Sequence, residues 1–273
     1  MEAQVYKQFL ELEEHHWWFR GRRAVYIGLL KSHLGNLAGG RALDLGCGLG
    51  GFLPSLDELG YEVYAADMDL TSLVHCRDRG FDRAVSCSTY SLPFSDDSFE
   101  LVTLFDAIEH VEDDHRAMAE VARVLKPGGK VIVSVPAYQF LFANNDRVAQ
   151  HYRRYSRTAV KRLYEQAGLQ VERNSHSNVF LFPFILPLVL LIKLVERSSR
   201  RKSQADYSNL SWPLPQWVHN VLYRIFAAEL ALGRYFDWPV GHSIVAIAGL
   251  PQESPHVAGP GAALRPEAAA EIG

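Results

Sequence analysis

Cysteine is scarce in this chain. There are three, Cys47, Cys76 and Cys87, an odd number without zinc-ligand spacing. That excludes the disulfide framework of a small secreted domain and fits a reducing cytoplasm. An excess of one charge is also missing. Twenty-eight basic against 31 acidic residues leave a net charge of -3, so no global basic field points to nucleic acid. The apolar run from Val179 to Ile192 is fourteen residues long and contains Pro183 and Pro187, short of the roughly 20 that a spanning helix needs. The N-terminal "MEAQVYKQFLELEE" is acidic and periodic and has no apolar signal core. There is no internal repeat.

What is present is ordinary globular material. Apolar residues make up 48% and charged residues 22% of 273, enough for one large domain with additions. Residues 5–34 read as helical, with Val5, Phe9 and Leu12 spaced for one face. After "NLAGG", short apolar runs alternate with amphipathic segments. "RALDLG", "YEVYAAD", "FELVTLFDAIEHV" and "KVIVSVP" read as strands. "GFLPSLDELG", "LTSLVHCRDRG" and "DHRAMAEVARVLKPGG" read as helices. Further on come a helix, "RTAVKRLYEQAG", a strand, "LQVERNS", a helix, "QWVHNVLYRIFAAELAL", and a closing strand, "HSIVAIAG". This alternation predicts a parallel sheet with helices on both faces.

"LDLGCGLGG" (43–51) sits between the first strand and its helix. Glycines there let backbone approach a ligand, and the helix N-terminus favours negative charge. Gly46, Gly48 and Gly51 spell G-x-G-x-x-G, which alone also describes a tight turn that binds nothing. Asp67 ends the second strand 21 positions after Gly46, a place suited to a carboxylate on ribose hydroxyls. Asp44 separates two readings. A carboxylate before the glycines is unfavourable beside a dinucleotide pyrophosphate but suits a cationic ligand with an amino group.

With "SLPFSDDSFELV" and "EVARVLKPGGKVIVSVP" added, residues Arg41 to Pro136 resemble class I S-adenosylmethionine-dependent methyltransferases of the small-molecule type. The resemblance implies an α/β, Rossmann-like, seven-stranded, mostly parallel sheet. Its last strand would be reversed, here Ser243 to Ala248. It implies S-adenosyl-L-methionine as cofactor, with Asp44, Gly46, Cys47 and Gly48 lining the methionine moiety. Asp67 would hold the ribose and Met68 the adenine. Ser88 stands where the family usually has an aspartate for the adenine amino group, with Thr89 after it. Phe105 and Asp106 would border cofactor and substrate, with Ile108 and His110 in the same mouth. An NAD-type oxidoreductase is the alternative, and a non-catalytic, membrane-associated protein retaining the cofactor fold is a third reading.

"NDRVAQHYRRYSR" follows the fifth strand and offers Asp146, His151, Arg153, Arg154, Tyr155 and Arg157. An arginine cluster at a helix start suits a phosphate or carboxylate of the acceptor, or is a solvated turn paired with local acids. Its "H-x-R-R-Y" spelling resembles a subgroup of bacterial methyltransferases found near genes for glycan or lipid assembly. His110 and His151 are the candidate general bases, because imidazole titrates near neutrality. Asp146, Arg153, Arg154 and Tyr155 are the candidate substrate contacts. The apolar run has three readings: a buried cap, an interfacial anchor with Lys193 and the basic residues to Lys202, or a span. The first two fit a lipid-linked acceptor.

"EEHHWWFRGRR" (13–23) remains. Adjacent His15 and His16 point in different directions on a helix, so no metal site is expected, and no metal is assigned elsewhere. The aromatics either pack on the domain or form a lid over the cofactor. In the lid reading Trp18 shields the sulfonium and Arg22 meets the cofactor carboxylate, so Arg22→Ala should weaken cofactor binding more than it lowers melting temperature. The expected organisation is a helical lid over 1–38 and a methyltransferase domain over 39–249. A helical insertion over 179–235 and a disordered tail over 250–273 complete it. The expected partners are a small-molecule or lipid-linked acceptor and a membrane surface touched through 179–202, with no nucleic acid. The expected location is the cytoplasm or the inner face of the membrane.

Overall fold

The structure is a computed structural model, and it describes residues 12–34, 39–198 and 214–252. After residues 12–15, which are helical, come α1 (Trp17–His33), β1 (Gly40–Leu45), α2 (Leu53–Asp57), β2 (Tyr61–Asp67), α3 (Leu70–Asp78) and β3 (Ala84–Ser86). Next are β4 (Phe99–Phe105), α4 (Asp114–Val124), β5 (Leu125–Pro136), α5 (Asn144–Val148), α6 (Arg157–Gln166) and β6 (Gln170–Ser177). The chain closes through α7 (Phe182–Ser198), α8 (Gln216–Gly233) and β7 (Ser243–Gly249). The seven strands form one sheet in the order β3-β2-β1-β4-β5-β7-β6. β1 to β5 pair in parallel, and β7 runs antiparallel to both of its neighbours.

Alternation along the strands makes two cores, one on each face. Leu43, Leu45, Val102, Leu104, Val131 and Val133 pack with Met118, Val121, Val160 and Tyr164 of α4 and α6. Ala42, Leu101, Ile132, Val245 and Ile247 point the other way, against Tyr26, Leu30, Leu56, Leu73 and Phe226 of α1, α2, α3 and α8. The parity matters for function: Asp44 and Thr103 share the face of Ala42 and Leu101, and are register partners across β1 and β4.

Four details differ from the sequence reading. The N-terminal helix is interrupted at His16, which is extended and caps α1 by accepting the Trp18 N–H at 3.2 Å. Burial first, then His219 and Arg22, lower the His16 pKa to about 4, so its ring stays neutral and able to accept. The helix expected to run through "LKPGG" stops at Val124, and β5 begins at Leu125. Pro127 cannot donate to a helix, and Leu125 instead pairs with Phe99 ahead of a register shift. The short β3, three residues long, was not distinguished at all. The fourth is the apolar run, which forms α7 with Pro187 inside it. Seventeen residues reach about 26 Å at 1.5 Å each, and among the described residues no helix is long and apolar enough to cross a membrane. The basic loop and most of the tail lie outside the described residues.

α1 and α8 touch at glycine. A Cβ on Gly21 would lie 2.2 Å from the Phe226 ring, and one on Gly28 would lie 2.2 Å from a Leu230 methyl. This close approach fixes α1 beside the sheet and directs Arg22 toward the carboxyl end of β4.

Candidate active site at the carboxyl ends of the strands

The glycine turn leaves β1 and is tethered to β2. The N–H groups of Gly46 and Cys47 both donate to the Ala66 carbonyl, at 2.8 and 3.1 Å. Gly46 has φ +74°, and a Cβ there would meet the Ala107 Cβ at 2.6 Å. Conformation and space both require glycine. A Cβ on Gly48 (φ +51°) would instead enter open space, with nothing within 4 Å. Its N–H donates to Asp67 Oδ2 at 2.9 Å, and the Asp69 N–H donates to Asp67 Oδ1 at 2.9 Å. Asp67 thus holds the turn while each oxygen keeps acceptor capacity for a hydroxyl. Met68 beside it is 72% exposed. Ser88 and Thr89 are half-buried on the loop after β3, and Ser88 Oγ accepts the Tyr90 N–H at 3.2 Å.

Asp44 is buried, and Thr103 Oγ1 donates to its Oδ1 at 2.5 Å. Burial, opposed by the Thr103 hydrogen bond and aided by Asp67 and Glu13, raises its pKa to about 7. The Cys47 thiol turns into the core, 4.0 Å from Cys76 Sγ, so its backbone lines the turn and its sulfur does not. Phe105 is stacked on Phe52 at 4.0 Å and on Tyr26 at 5.7 Å, forming an aromatic floor. A buried carboxylate, a turn with open space at Gly48 and an acceptor at the end of β2 fit a nucleoside carrying an ammonium group.

The N-terminal motif divides its labour. Trp17 and Trp18 pack on Phe226 of α8 at 6.3 and 5.8 Å, and Trp18 also meets the His242 ring at 5.4 Å. Arg22 reaches the mouth over Phe19 and Trp18 and forms an ion pair with Asp106, which follows β4 in a left-handed conformation (φ 51°). Ser134 Oγ donates to Asp106 Oδ1 at 3.0 Å. Arg23 donates to the carbonyls of Gly51 and Glu13. Sequence reasoning passed over Glu13. Its carboxylate lies where a Cβ on Gly51 would be, 2.2 Å from Oε1, and stands 3.7 Å from Arg79. The chain's own acid therefore fills part of the mouth, and burial raises its pKa against three nearby arginines.

In the stretch after β5, Arg153, Arg154 and Arg157 are paired with acids, and Arg147 is exposed over the Phe142 ring. Asp146 is buried and accepts from Arg154 Nε at 2.7 Å, the Ala143 N–H at 2.8 Å and His151 Nδ1 at 3.0 Å. Arg153 pairs with Asp114 at 3.0 Å, and Tyr155 Oη donates to the same carboxylate at 2.7 Å. Arg157 stands 3.6 Å from Asp237. Of the two sequence readings, local pairing describes these arginines, and Asp146 and Tyr155 are internal struts. His110 and His151 do come together, with ring centroids 4.6 Å apart. Burial of the ring, then the neighbouring His151, lower the His110 pKa to about 4 against a backbone hydrogen bond with Gln150, so it is neutral although the residue as a whole is exposed. Glu109, also missed, is wholly buried beside them, and burial raises its pKa to about 8. The sequence offers no separate signal for it, because "LFDAIEHV" also holds Asp106 and His110.

Residues 43–133 match a family model described as a methyltransferase domain. A probable S-adenosylmethionine-dependent methyltransferase of Mycolicibacterium smegmatis is 31% identical over 59% of this chain and 62% of its own length. The demethylmenaquinone methyltransferase of Renibacterium salmoninarum is 35% identical over 42% of this chain and 48% of its own. The chain thus spans about half to three-fifths of these curated relatives. In structure, a chain from a Haloferax volcanii complex of a methyltransferase with a methyltransferase activator superposes with a TM-score of 0.56. It is 18% identical over 93% of this chain and 97% of that one. Residues 43–133 thus match a methyltransferase-domain model, and the sheet order with its reversed β7 and the glycine turn agree with that fold.

Proposed function

We propose that the protein transfers a methyl group from S-adenosylmethionine to a small acceptor borne on an apolar or lipid-like chain. The observation that carries the cofactor half is Asp44, a buried carboxylate two residues before the glycine turn's first backbone N–H groups. S-adenosylmethionine supplies an electrophilic methyl group on a sulfonium. Asp44 receives the ammonium group, the Gly46–Gly48 backbone lies along the methionine moiety, and Asp67 accepts from the ribose hydroxyls. Met68 covers the adenine, with Ser88 and Thr89 at its edge. Positioning of the acceptor in line with the methyl is itself worth about 7–11 kcal/mol of barrier. Calorimetry tests this half directly: S-adenosylhomocysteine should bind and NAD should not. The reverse result restores the oxidoreductase reading.

The acceptor half rests on α7 and α8. α7 follows the carboxyl end of β6, on the side of the sheet where the site opens. Phe184, Leu188 and Leu191 are exposed at helical spacing on α7, as are Trp217, Val221 and Ile225 on α8. Apolar stripes of this kind, left facing solvent, favour an apolar acceptor or an interfacial position over a buried cap. The relative named as a demethylmenaquinone methyltransferase agrees with an apolar acceptor. Arg153, Arg154 and Arg157 after β5 are already paired with acids, which disfavours them as partners of an anionic acceptor. Flotation should carry the protein with anionic liposomes, and Leu191→Glu with Trp217→Glu should leave it at the bottom. Wild-type protein that ignores liposomes at low and high salt would sink the interfacial reading.

A further inference from the structure

The loop after β4 and the segment after α5 are stitched together by backbone. The Tyr152 N–H donates to the Glu109 carbonyl at 2.8 Å, and the His151 N–H donates to the Asp146 carbonyl at 2.8 Å. This brings His151 against Glu109 and His110, 41 positions apart in the chain. One ligand atom from each of Glu109, His110 and His151 lies within 4.8 Å of the others. Glu109 has no solvent exposure, and neither of its carboxylate oxygens has a hydrogen-bond partner. A buried, unpartnered carboxylate is costly, by about 1–3 kcal/mol or more for a charged group. Such a group needs a counter-charge, a proton or a ligand.

The geometry points to a divalent transition-metal site formed by Glu109, His110 and His151, with open coordination positions toward the mouth. Two imidazoles and one carboxylate are the donor set of catalytic zinc and of facial-triad iron sites, and imidazole selects against magnesium and calcium. The support around His151 fits the same purpose. Its Nδ1 is hydrogen-bonded to Asp146 Oδ1 at 3.0 Å, which leaves Nε2 as the lone-pair nitrogen. Asp146 is itself fixed by Arg154 and the Ala143 N–H. A carboxylate that orients a ligating histidine is the common outer partner of metal sites. Donor atoms around one such ion stand about 3–3.5 Å apart, given bond lengths near 2.1 Å, so the three side chains need close in only slightly.

This inference deepens the methyltransferase reading and rests on it for one consequence. The metal would supply, at the acceptor, the positive charge that the paired arginines do not. An acceptor oxygen on the open position would become more acidic and lose its proton to water. His110 and His151 would then hold the metal and not serve as bases.

The test uses the full chain stripped with a chelator, and the probes are Co2+ and Zn2+ alone. One ion should bind per chain, and Co2+ should show visible absorption without the intense thiolate band. Glu109→Gln and His151→Ala should each abolish it, and Asp146→Asn should weaken it by about 10- to 100-fold. His33→Ala, at the far end of α1, should bind as wild type does. Thermal melts of each variant separate lost ligands from lost folding; Glu109→Gln replaces a buried, protonated carboxyl by a neutral group of the same shape and should melt close to wild type. Wild-type protein that binds no ion, or Glu109→Gln binding equally well, overturns the site. S-adenosylhomocysteine is titrated into the same stripped protein. Its binding without any metal binding overturns this site alone, and metal binding without it overturns the methyltransferase reading alone.

Discussion

Asp44→Asn is expected to bind S-adenosylhomocysteine between about tenfold and a hundredfold more weakly than wild type, while melting at a higher temperature at pH 8. The two effects have one cause. Asp44 is buried with a single hydrogen-bond donor, Thr103. Its pKa is raised to about 7, chiefly by burial, against about 3.9 in the unfolded chain. The folded state therefore holds the proton more tightly. The stability this contributes is full below about pH 4 and is lost as pH rises toward 7. The loss above pH 7 is on the order of 4 kcal/mol, at 1.36 kcal/mol per pKa unit. Asparagine keeps the acceptor for Thr103 and removes that cost, so the gain in melting temperature should vanish at pH 4. Binding has the opposite sign. An ammonium group needs the ionised carboxylate, and a charge-assisted hydrogen bond is worth about 1.5–3 kcal/mol, which is the loss stated. For the same reason wild-type affinity should rise with pH up to about 7 and then level. Calorimetry across pH 5–8 reads this; equal affinities for the two proteins, or a wild-type profile flat in pH, would remove Asp44 from the cofactor site.

Asp44 also shows how much the sequence could reveal. Its place before the glycines marked the cofactor class, because local order along one strand and one turn sets that geometry. The parallel sheet was legible for the same reason: each strand-helix unit is written contiguously. What the sequence hid depends on contacts between distant segments. Thr103 is invisible as the partner of Asp44 until β1 and β4 are in register. Asp146 is a nearer case: its donors Ala143, His151 and Arg154 lie within eight positions, and they converge on it only once that segment is folded. Glu109 was overlooked beside the more conspicuous His110, and only burial singles it out. Helix ends were the weakest reading. His16 as a cap and the early stop at Val124 depend on a histidine acting where serine or aspartate is usual, and on Leu125 being drawn into the sheet.

Arg22→Ala is expected to lower the melting temperature of the apo protein by about 5–10 °C, a larger change than the sequence alone suggests. From sequence, Arg22 is a cofactor contact whose loss weakens cofactor binding more than it lowers the melting temperature. In the structure its guanidinium is paired with Asp106 and lies over Phe19. Side-chain exposures of 11% and 23% place this pair near the interior, with Asp106 partly open to water. Removing one partner of a buried pair costs about 3–5 kcal/mol, and the open edge of Asp106 puts this case at or below the lower end. At about 2–4 °C per kcal/mol for a domain of this size, the stated shift follows. Asp106 adds a second reason. Its left-handed backbone (φ 51°) is held by Ser134 and by Arg22, so the arginine keeps the end of β4 in place beside the glycine turn. A double-mutant cycle with Asp106→Asn separates the pair from its surroundings. If the pair carries the effect, Arg22→Ala should cost little more in the Asp106→Asn background. Cofactor affinity should fall in both single variants, because each releases the same loop. An Arg22→Ala protein that melts like wild type yet fails to bind S-adenosylhomocysteine would reverse this order and return Arg22 to the cofactor itself.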